Sequence, residues 1–283
     1  MKVLVTGVDG QLGHDVMEEL GRRKIEALGV DLPQMDITDK DMVMKTVTGY
    51  APDAVIHCAA WTAVDAAEDA VDTCRKVNAE GTANIAEACR QAGCSMMYIS
   101  TDYVFDGQGT RPWEPDDPVT RPLNVYGLTK YEGEEAVRAA LDRWFIVRIA
   151  WVFGKNGRNF IRTMLNLGKT HDRITVVNDQ YGTPTYTLDL ARLLVDMILT
   201  DRYGIYHVTN EGDYISWYDF ACEIFRQAGI AMEVVPVSSA EYAAKAKRPE
   251  NSRMNRTKIT GQGFTPLPDW KDALGRYLKE IEE

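Results

Sequence analysis

Tyr126 and Lys130 stand four residues apart in the stretch Tyr126-Gly127-Leu128-Thr129-Lys130. On a helix, that spacing puts a phenol and an ammonium on one face. A free tyrosine titrates at about 10, too high for ready proton exchange at neutral pH, and a neighbouring cation lowers that value by favouring the phenolate. The pair is therefore a candidate proton donor. A chain with 13 tyrosines can hold such a pair by chance, so the elements that position it carry the argument.

Residues 2–6 are an apolar run that ends in Gly7-Val8-Asp9-Gly10-Gln11-Leu12-Gly13, and residues 15–22 follow in a helical pattern. Strand, glycine turn and helix come in the order a dinucleotide site requires. Gly7 permits the tight turn, Gly10 lets backbone approach a pyrophosphate, and Gly13 lets the helix pack closely with its N-terminus facing the negative charge. The spacing is G-x-x-G-x-x-G and not G-x-G-x-x-G, so a plain glycine turn is the alternative. Residues 25–30 read as a second strand, followed by Asp31, which either binds a ribose hydroxyl or caps a loop. Asp36-Ile37-Thr38-Asp39 leads into a helix capped by Thr38 or Asp39, with Asp36 in reach of an adenine.

Residues 54–60 read as a buried strand ending in Cys58-Ala59-Ala60, small enough for backbone to lie against a flat ligand, with His57 structural. Residues 73–92 predict one long amphipathic helix carrying Asn78 and Asn84, and residues 95–100 the next strand. That strand opens into Ser100-Thr101-Asp102-Tyr103 at the carboxyl edge of the sheet, where open α/β sheets bind ligands; the two hydroxyls alternatively cap the loop. Pro112, Pro115, Pro118 and Pro122 keep the chain irregular up to the Tyr126 helix.

This alternation predicts an α/β fold: a Rossmann-type doubly wound parallel sheet over residues 1–150. A smaller C-terminal α/β domain, residues 151–283, builds the substrate side, and residues near 175–210 return to the first domain. Within the second half, residues 188–199 read as a helix, 204–210 as a strand, and 216–228 as a helix capped by Ser216. Lys245, Lys247, Arg248, Arg253 and Arg256 cluster in an otherwise acidic chain. Such a cluster suits a pyrophosphate or is a solvated face.

Composition bounds the partners. The 283 residues carry a net charge of -10, which argues against nucleic acid or an anionic membrane as partner. Hydrophobic content of 45% comes without a long uncharged apolar run. The N-terminus reads as a strand and not a secretory signal, so a cytoplasmic protein is expected. Cys58, Cys74, Cys89, Cys94 and Cys222 form no C-x-x-C, which points to reduced, buried thiols and to no metal site.

The chain resembles the extended short-chain dehydrogenases and, within them, the dTDP-4-dehydrorhamnose reductases. The resemblance spans nearly the whole length. It rests on Thr6-Gly7-x-x-Gly10-Gln11-Leu12-Gly13, on His57-Cys58-Ala59-Ala60-x-Thr62-x-Val64-Asp65-x-Ala67-Glu68, on Ser100-Thr101-Asp102-Tyr103-Val104-Phe105, and on Asn124-Val125-Tyr126-Gly127-x-x-Lys130. Later landmarks are Arg148-Ile149-Ala150-Trp151-Val152-Phe153-Gly154, Asn159-Phe160, Asp179-Gln180-Tyr181-Gly182-Thr183-Pro184-Thr185 and Arg248-Pro249-x-Asn251-Ser252. It departs from the family at His57-Cys58, where asparagine-alanine is common, and at Ile149-Ala150, where two small polar residues stand.

The resemblance implies reduction of the 4-keto group of a dTDP-sugar, giving dTDP-β-L-rhamnose for cell-surface polysaccharide. Tyr126 then donates the proton, Thr101 orients the carbonyl, and Lys130 anchors the nicotinamide ribose and lowers the tyrosine pKa. Implied cofactor contacts are Gly7, Gly10, Gln11, Leu12, Gly13, Asp31, Asp36, Ile37, Cys58, Ala59, Ala60, Thr62, Ile99, Tyr126 and Lys130. Implied substrate contacts are Thr101, Asp102, Tyr126, Trp151, Asn159, Gln180 and Arg248. The cofactor is NADPH or NADH: Asp31 repels a 2'-phosphate, whereas Arg22, Arg23 and Lys24 soften that preference. Some family members associate with magnesium, though no spacing here indicates a site, and a monomer or homodimer is expected. A sugar-nucleotide epimerase or dehydratase is the alternative, but a dehydratase typically places an acid pair after the threonine, and Tyr103 follows Asp102 here. A non-catalytic regulatory subunit is disfavoured because Thr101, Tyr126 and Lys130 are all present.

Overall fold

Strand residues Val3–Thr6, Ala54–His57 and Ser95–Thr101 are buried along their whole length, the signature of strands covered on both faces. The computed structural model describes residues 1–242 and 244–282. Its central sheet has six parallel strands: β1 (Lys2–Thr6), β2 (Glu26–Val30), β3 (Ala54–His57), β4 (Ser95–Thr101), β5 (Trp144–Ile149) and β6 (Gly204–His207), in the order β6-β5-β4-β3-β1-β2. The chain lays β2 on one side of β1 and β3 on the other, so a crevice opens between their carboxyl ends.

Alternation along the strands divides two cores. Val3, Val5, Ile56 and Met97 face α1 (Gln11–Arg22) and the helix Thr187–Ile198. Leu4, Val55, Met96 and Tyr98 face α2 (Lys40–Tyr50), α3 (Thr82–Ala92) and α4 (Val125–Ala140). The chain therefore returns to the sheet after residue 186, adding a helix to one face and β6 to its edge. A third apolar cluster joins α5 (Phe160–Leu167), α6 (Trp217–Ala228) and α7 (Trp270–Glu282) through Ile161, Phe220, Trp270 and Tyr277. Ser216 caps α6 in a reciprocal box: its hydroxyl accepts from Asp219 N at 3.1 Å, and Asp219 Oδ2 accepts from Ser216 N at 2.9 Å. Among the described residues, no helix is long and apolar enough to cross a membrane.

Several elements differ from their sequence pattern: the first helix already starts at Gln11, and the strand expected over 204–210 stops at His207. In place of one helix over 73–92, the chain makes a short helix Val71–Arg75, a wide π-helical turn Lys76–Gly81, and α3. The turn seats Asn78, whose amide accepts from Trp61 N at 2.8 Å and donates to Thr129 Oγ1 at 3.2 Å. The strand expected over 54–60 stops at His57, because Ala59 turns to donate its N–H to Thr6 Oγ1 at 3.2 Å.

Under the sheet's carboxyl edge lies a fully buried ion pair. Arg148 of β5 donates Nε and Nη2 to the two carboxylate oxygens of Glu134 on α4, at 2.9 and 2.7 Å, and Ser100 of β4 donates to the same carboxylate at 2.6 Å. Arg148 Nη1 also reaches Pro115 O at 3.2 Å, tying in the proline-rich loop. Arg148→Met should destabilise the protein by about 3–5 kcal/mol, because it strands a buried carboxylate. The double variant Arg148→Met/Glu134→Gln should recover part of the loss. Urea unfolding in which Arg148→Met costs less than about 1 kcal/mol would show that the pair contributes no more than a surface contact.

Candidate functional site

At the carboxyl ends of the strands lies a cavity of about 640 Å³. Its floor is the glycine turn. Gly7 has φ +72°, and a Cβ there would sit 2.6 Å from Ala59 N; a Cβ on Gly13 would run into the Gly7 carbonyl. No side chain caps the N-terminus of α1, where Gly10 is the cap residue, so the first-turn N–H groups beside the cavity are left for an anion. These close approaches form a cradle that a dinucleotide pyrophosphate fits. On the β2 side, Asp31, Asp36 and Ile37 line the cavity. Asp31 accepts from Asp9 N at 3.0 Å and Leu32 N at 2.9 Å, fixing the strand end to the glycine turn. Asp36 accepts from Thr38 N and Oγ1, and Asp39 caps α2. Cys58, Ala59, Ala60, Thr62 and Ile99 line the middle, and burial pushes the Cys58 thiol up to about 12. His57 hydrogen-bonds Thr6 and Thr82 and stays neutral, burial having pushed it down to about 3.

The β4 side carries the titratable groups. Asn124 caps α4 by accepting from Gly127 N at 2.8 Å, and a Cβ at Gly127 would run into the Tyr103 carbonyl. Glycine there lets α4 press onto the turn after β4, which is why Thr101, Tyr126 and Lys130 all reach one cavity. Thr101 donates its hydroxyl to Asp102 Oδ1 at 3.0 Å and accepts from Tyr103 N at 3.3 Å. Burial raises the Tyr126 phenol above its ordinary range, against the opposing effect of the Thr101 hydroxyl. Burial also pushes the Lys130 ammonium down to about 7, with Glu134 opposing. Desolvation, and not the lysine, thus sets the direction of the phenol's shift, opposite to the lowering expected. What results is a phenol that holds its proton at neutral pH and can deliver it to a stronger base. Asp102 is buried with Oδ2 free of any hydrogen-bond partner among the described residues, and burial lifts its carboxyl to about 6.

Trp151 lines the same cavity in a left-handed backbone conformation, φ +50°, which costs an indole-bearing residue on the order of 1 kcal/mol. Its ring stacks on Trp217, centroids 3.7 Å apart and planes 14° apart. Trp217, not among the residues expected at the site, also lines the cavity. Its one sequence signal is an aromatic at the first helical position after Ser216, which core packing uses equally.

Three expected substrate contacts lie outside the cavity lining. Asn159 caps α5 and donates to Gln11 Oε1 at 3.0 Å and Tyr277 OH at 2.8 Å. Gln180 donates to Ser239 Oγ at 2.8 Å. Arg248 forms a two-pronged ion pair with Asp65, at 3.1 and 2.8 Å. Of the other cations in the cluster, Lys245 is engaged with Asp69, Arg256 with Asn210 O at 2.7 Å, and Arg253 over the Tyr181 ring at 4.3 Å. Arg22 and Arg23 are paired to Glu19, and Arg23 also to Asp196. Among the described residues, one group, His14, Asp15 and Glu18 on α1, brings three potential metal ligands within 4.8 Å of one another, and none of them lines the cavity.

The family model described as the RmlD substrate binding domain matches residues 1–283. The chain is 40% identical to a dTDP-4-dehydrorhamnose reductase of Aggregatibacter actinomycetemcomitans, covering 96% of this chain and 97% of that one. Among solved structures, it is similar to a dTDP-4-dehydrorhamnose reductase of Clostridium acetobutylicum, with TM-score 0.97, 42% identity and 100% of both chains covered. It is also similar to one from Bacillus anthracis in complex with NADP, with TM-score 0.95, 40% identity and 99% of both chains covered.

Burial of Lys130 has a consequence for stability. The ammonium titrates near 7 when folded and near 10.5 when exposed, so the unfolded chain binds the extra proton between those values. Stability therefore rises with pH across that window, and the penalty is fully present below its lower end. Without added nucleotide, Lys130→Met should have a higher thermal midpoint than the native chain at about pH 6, with a margin that narrows by about pH 9. A margin that does not change with pH would mean that the ammonium is solvated.

Proposed function

The chain belongs to the RmlD substrate binding domain family, and from that premise we infer that it uses NADPH or NADH to reduce the 4-keto group of dTDP-4-dehydro-β-L-rhamnose, giving dTDP-β-L-rhamnose in dTDP-rhamnose biosynthesis. The observation that carries this reading is the convergence of Thr101, Tyr126 and Lys130 on the cavity whose other side is the glycine cradle. The backbone of Gly7, Gly10, Gln11, Leu12 and Gly13 holds the pyrophosphate, Asp31 the adenosine ribose, and Asp36 with Ile37 the adenine. Cys58, Ala59, Ala60, Thr62 and Ile99 flank the nicotinamide half. Residues 1–150, with the segment that returns to the sheet, form the cofactor half, and most of residues 151–283 the substrate half. Five free cysteines suit a reducing cytoplasmic setting.

When bound, the reduced nicotinamide supplies hydride. Negative charge that develops on the ketone oxygen falls to the protein's own groups. Tyr126 donates its phenolic proton to that oxygen, a role supported by burial that keeps the phenol protonated. Thr101 polarises the carbonyl by turning its hydroxyl proton from Asp102 Oδ1 to the ketone oxygen. Lys130 contacts the ribose, and Trp151 and Asp102 meet the sugar. Arg248 reaches the substrate pyrophosphate by exchanging Asp65 for the new anion, a swap of one charged hydrogen-bond partner for another.

Oxidation of NADPH or NADH in the presence of dTDP-4-dehydro-β-L-rhamnose tests the reading, and no turnover with either cofactor would end it. In that assay Tyr126→Phe should lower single-turnover rate by at least about 10²-fold, because it removes the proton and keeps the ring. Dissociation constants should hardly move. A near-normal rate would assign the proton to another group.

Calorimetry with the product dTDP-sugar tests the anion exchange. Arg248→Ala should weaken binding by roughly 1.5–3 kcal/mol, whereas Asp65→Asn, by releasing the arginine, should strengthen it. Unchanged affinity in both variants would leave Arg248 as a structural tie.

A further inference from the structure

Lys130 is almost fully buried, and among the described residues its ammonium has no carboxylate within ion-pair distance. Glu134, one turn further along α4, is already bound by Arg148 and Ser100. What lies against Nζ is the ring of Tyr98 on β4, 4.1 Å from nitrogen to ring centroid. Tyr98 is itself held from several sides. Its hydroxyl donates to Lys130 O at 3.3 Å and lies 3.5 Å from Asn78 O, and its ring stacks on His57 with centroids 5.7 Å apart. A Cβ at position 133 would run into the Tyr98 hydroxyl and sit 2.7 Å from Asn78 O, so Gly133 is what lets α4 settle over this ring.

We propose that Tyr98 is a positioning residue for Lys130, its ring face holding the ammonium at the cavity wall with its N–H donors left for the cofactor ribose. A carboxylate in that place would consume those donors and draw Nζ towards itself. An aromatic face attracts the cation through its quadrupole and accepts no directed hydrogen bond from each N–H. The ring therefore offsets part of the desolvation of the ammonium while leaving it able to bind a ligand. This inference rests on the reading of Lys130 as a ribose contact.

The groups that face Lys130 come from each packed element: Tyr126 and Glu134 on α4, His57 and Cys58 at the end of β3, Cys74 from the helix Val71–Arg75, and Tyr98 from β4. Burial holds His57 down near 3, holds Cys58 up near 12, and raises Cys74 and Tyr126. Near neutral pH, the charge that changes beside the ribose position is thus the ammonium's own. Asp102, near 6, titrates elsewhere in the same cavity, and a lysine variant separates the two.

The test is NADPH titration by fluorescence between about pH 5.5 and about 9, on the native protein, Lys130→Met, Tyr98→Phe, and protein with pentafluorophenylalanine at position 98. The last keeps the shape of the ring and removes its attraction for a cation. Native affinity should fall through a midpoint as pH rises, and Tyr98→Phe should keep that midpoint because the ring face remains. The fluorinated ring should lower it by about half a unit to one and a half units, and Lys130→Met should abolish it. An equal midpoint for the Phe and fluorinated variants would overturn the role of Tyr98 while leaving Lys130 in place. A native pH profile in Lys130→Met would overturn the ribose contact itself.

Discussion

Glu134 and Arg148, removed from water and bonded to each other, decide where four parts of the chain can lie. The pair joins α4 to β5, takes the hydroxyl of Ser100 at the end of β4, and extends through Arg148 to the Pro115 carbonyl in the proline-rich loop. Phe105 covers the guanidinium, 4.9 Å from its carbon, and stacks in turn on Trp113. A buried pair of this kind adds little net stability over an apolar replacement, yet it tolerates few alternative arrangements, because any shift leaves a charge unpaired. Thr101 follows directly on Ser100, and Lys130 precedes Glu134 by one helical turn, so the pair holds both sides of the site in register.

Close backbone approach does the remaining positioning. Gly7 and Gly13 fold the first turn against the end of β3, and Gly127 and Gly133 seat the helix on β4 and on the turn that follows. The same closeness excludes water. Desolvation then moves the two central groups in opposite directions, raising the phenol and lowering the ammonium. For the proposed reduction this is a workable pairing: the phenol stays protonated, and the ammonium lies against a ring and not against a carboxylate.

The second half of the chain closes over the first through charge. Asp65 and Asp69, beside the cavity rim, hold Arg248 and Lys245, and Asp65 also accepts from Ala246 N at 2.9 Å. Asn124, the cap of α4, donates to Lys247 O at 2.8 Å. The segment that carries the basic cluster is therefore fastened to the start of that helix. At the same cavity, Trp151 stacks on Trp217 while its backbone is in the left-handed region.

Local pattern was enough to read the glycine turn, the order of strands and helices in the first half, the cap at Ser216 and the spacing of Tyr126 and Lys130, because each depends on neighbours a few residues away. Periodicity also marked the helix and strand that return to the sheet. It did not mark the π-helical turn at Lys76–Gly81, which forms because Asn78 finds partners at Trp61 and Thr129 that are distant in the chain. The basic cluster was visible as charge, but its partners were not: Arg248 meets Asp65 from 183 positions away. Asn159 and Gln180 were visible as polar residues, and tertiary packing spends them on a helix cap and a loop tie. Residue types and their spacing were enough to say which residues could exchange a proton and where a dinucleotide backbone could turn. Tertiary structure alone decided how much water those residues keep, and therefore which way their protonation shifts, since desolvation is a property of everything packed around a group and not of its neighbours in the chain.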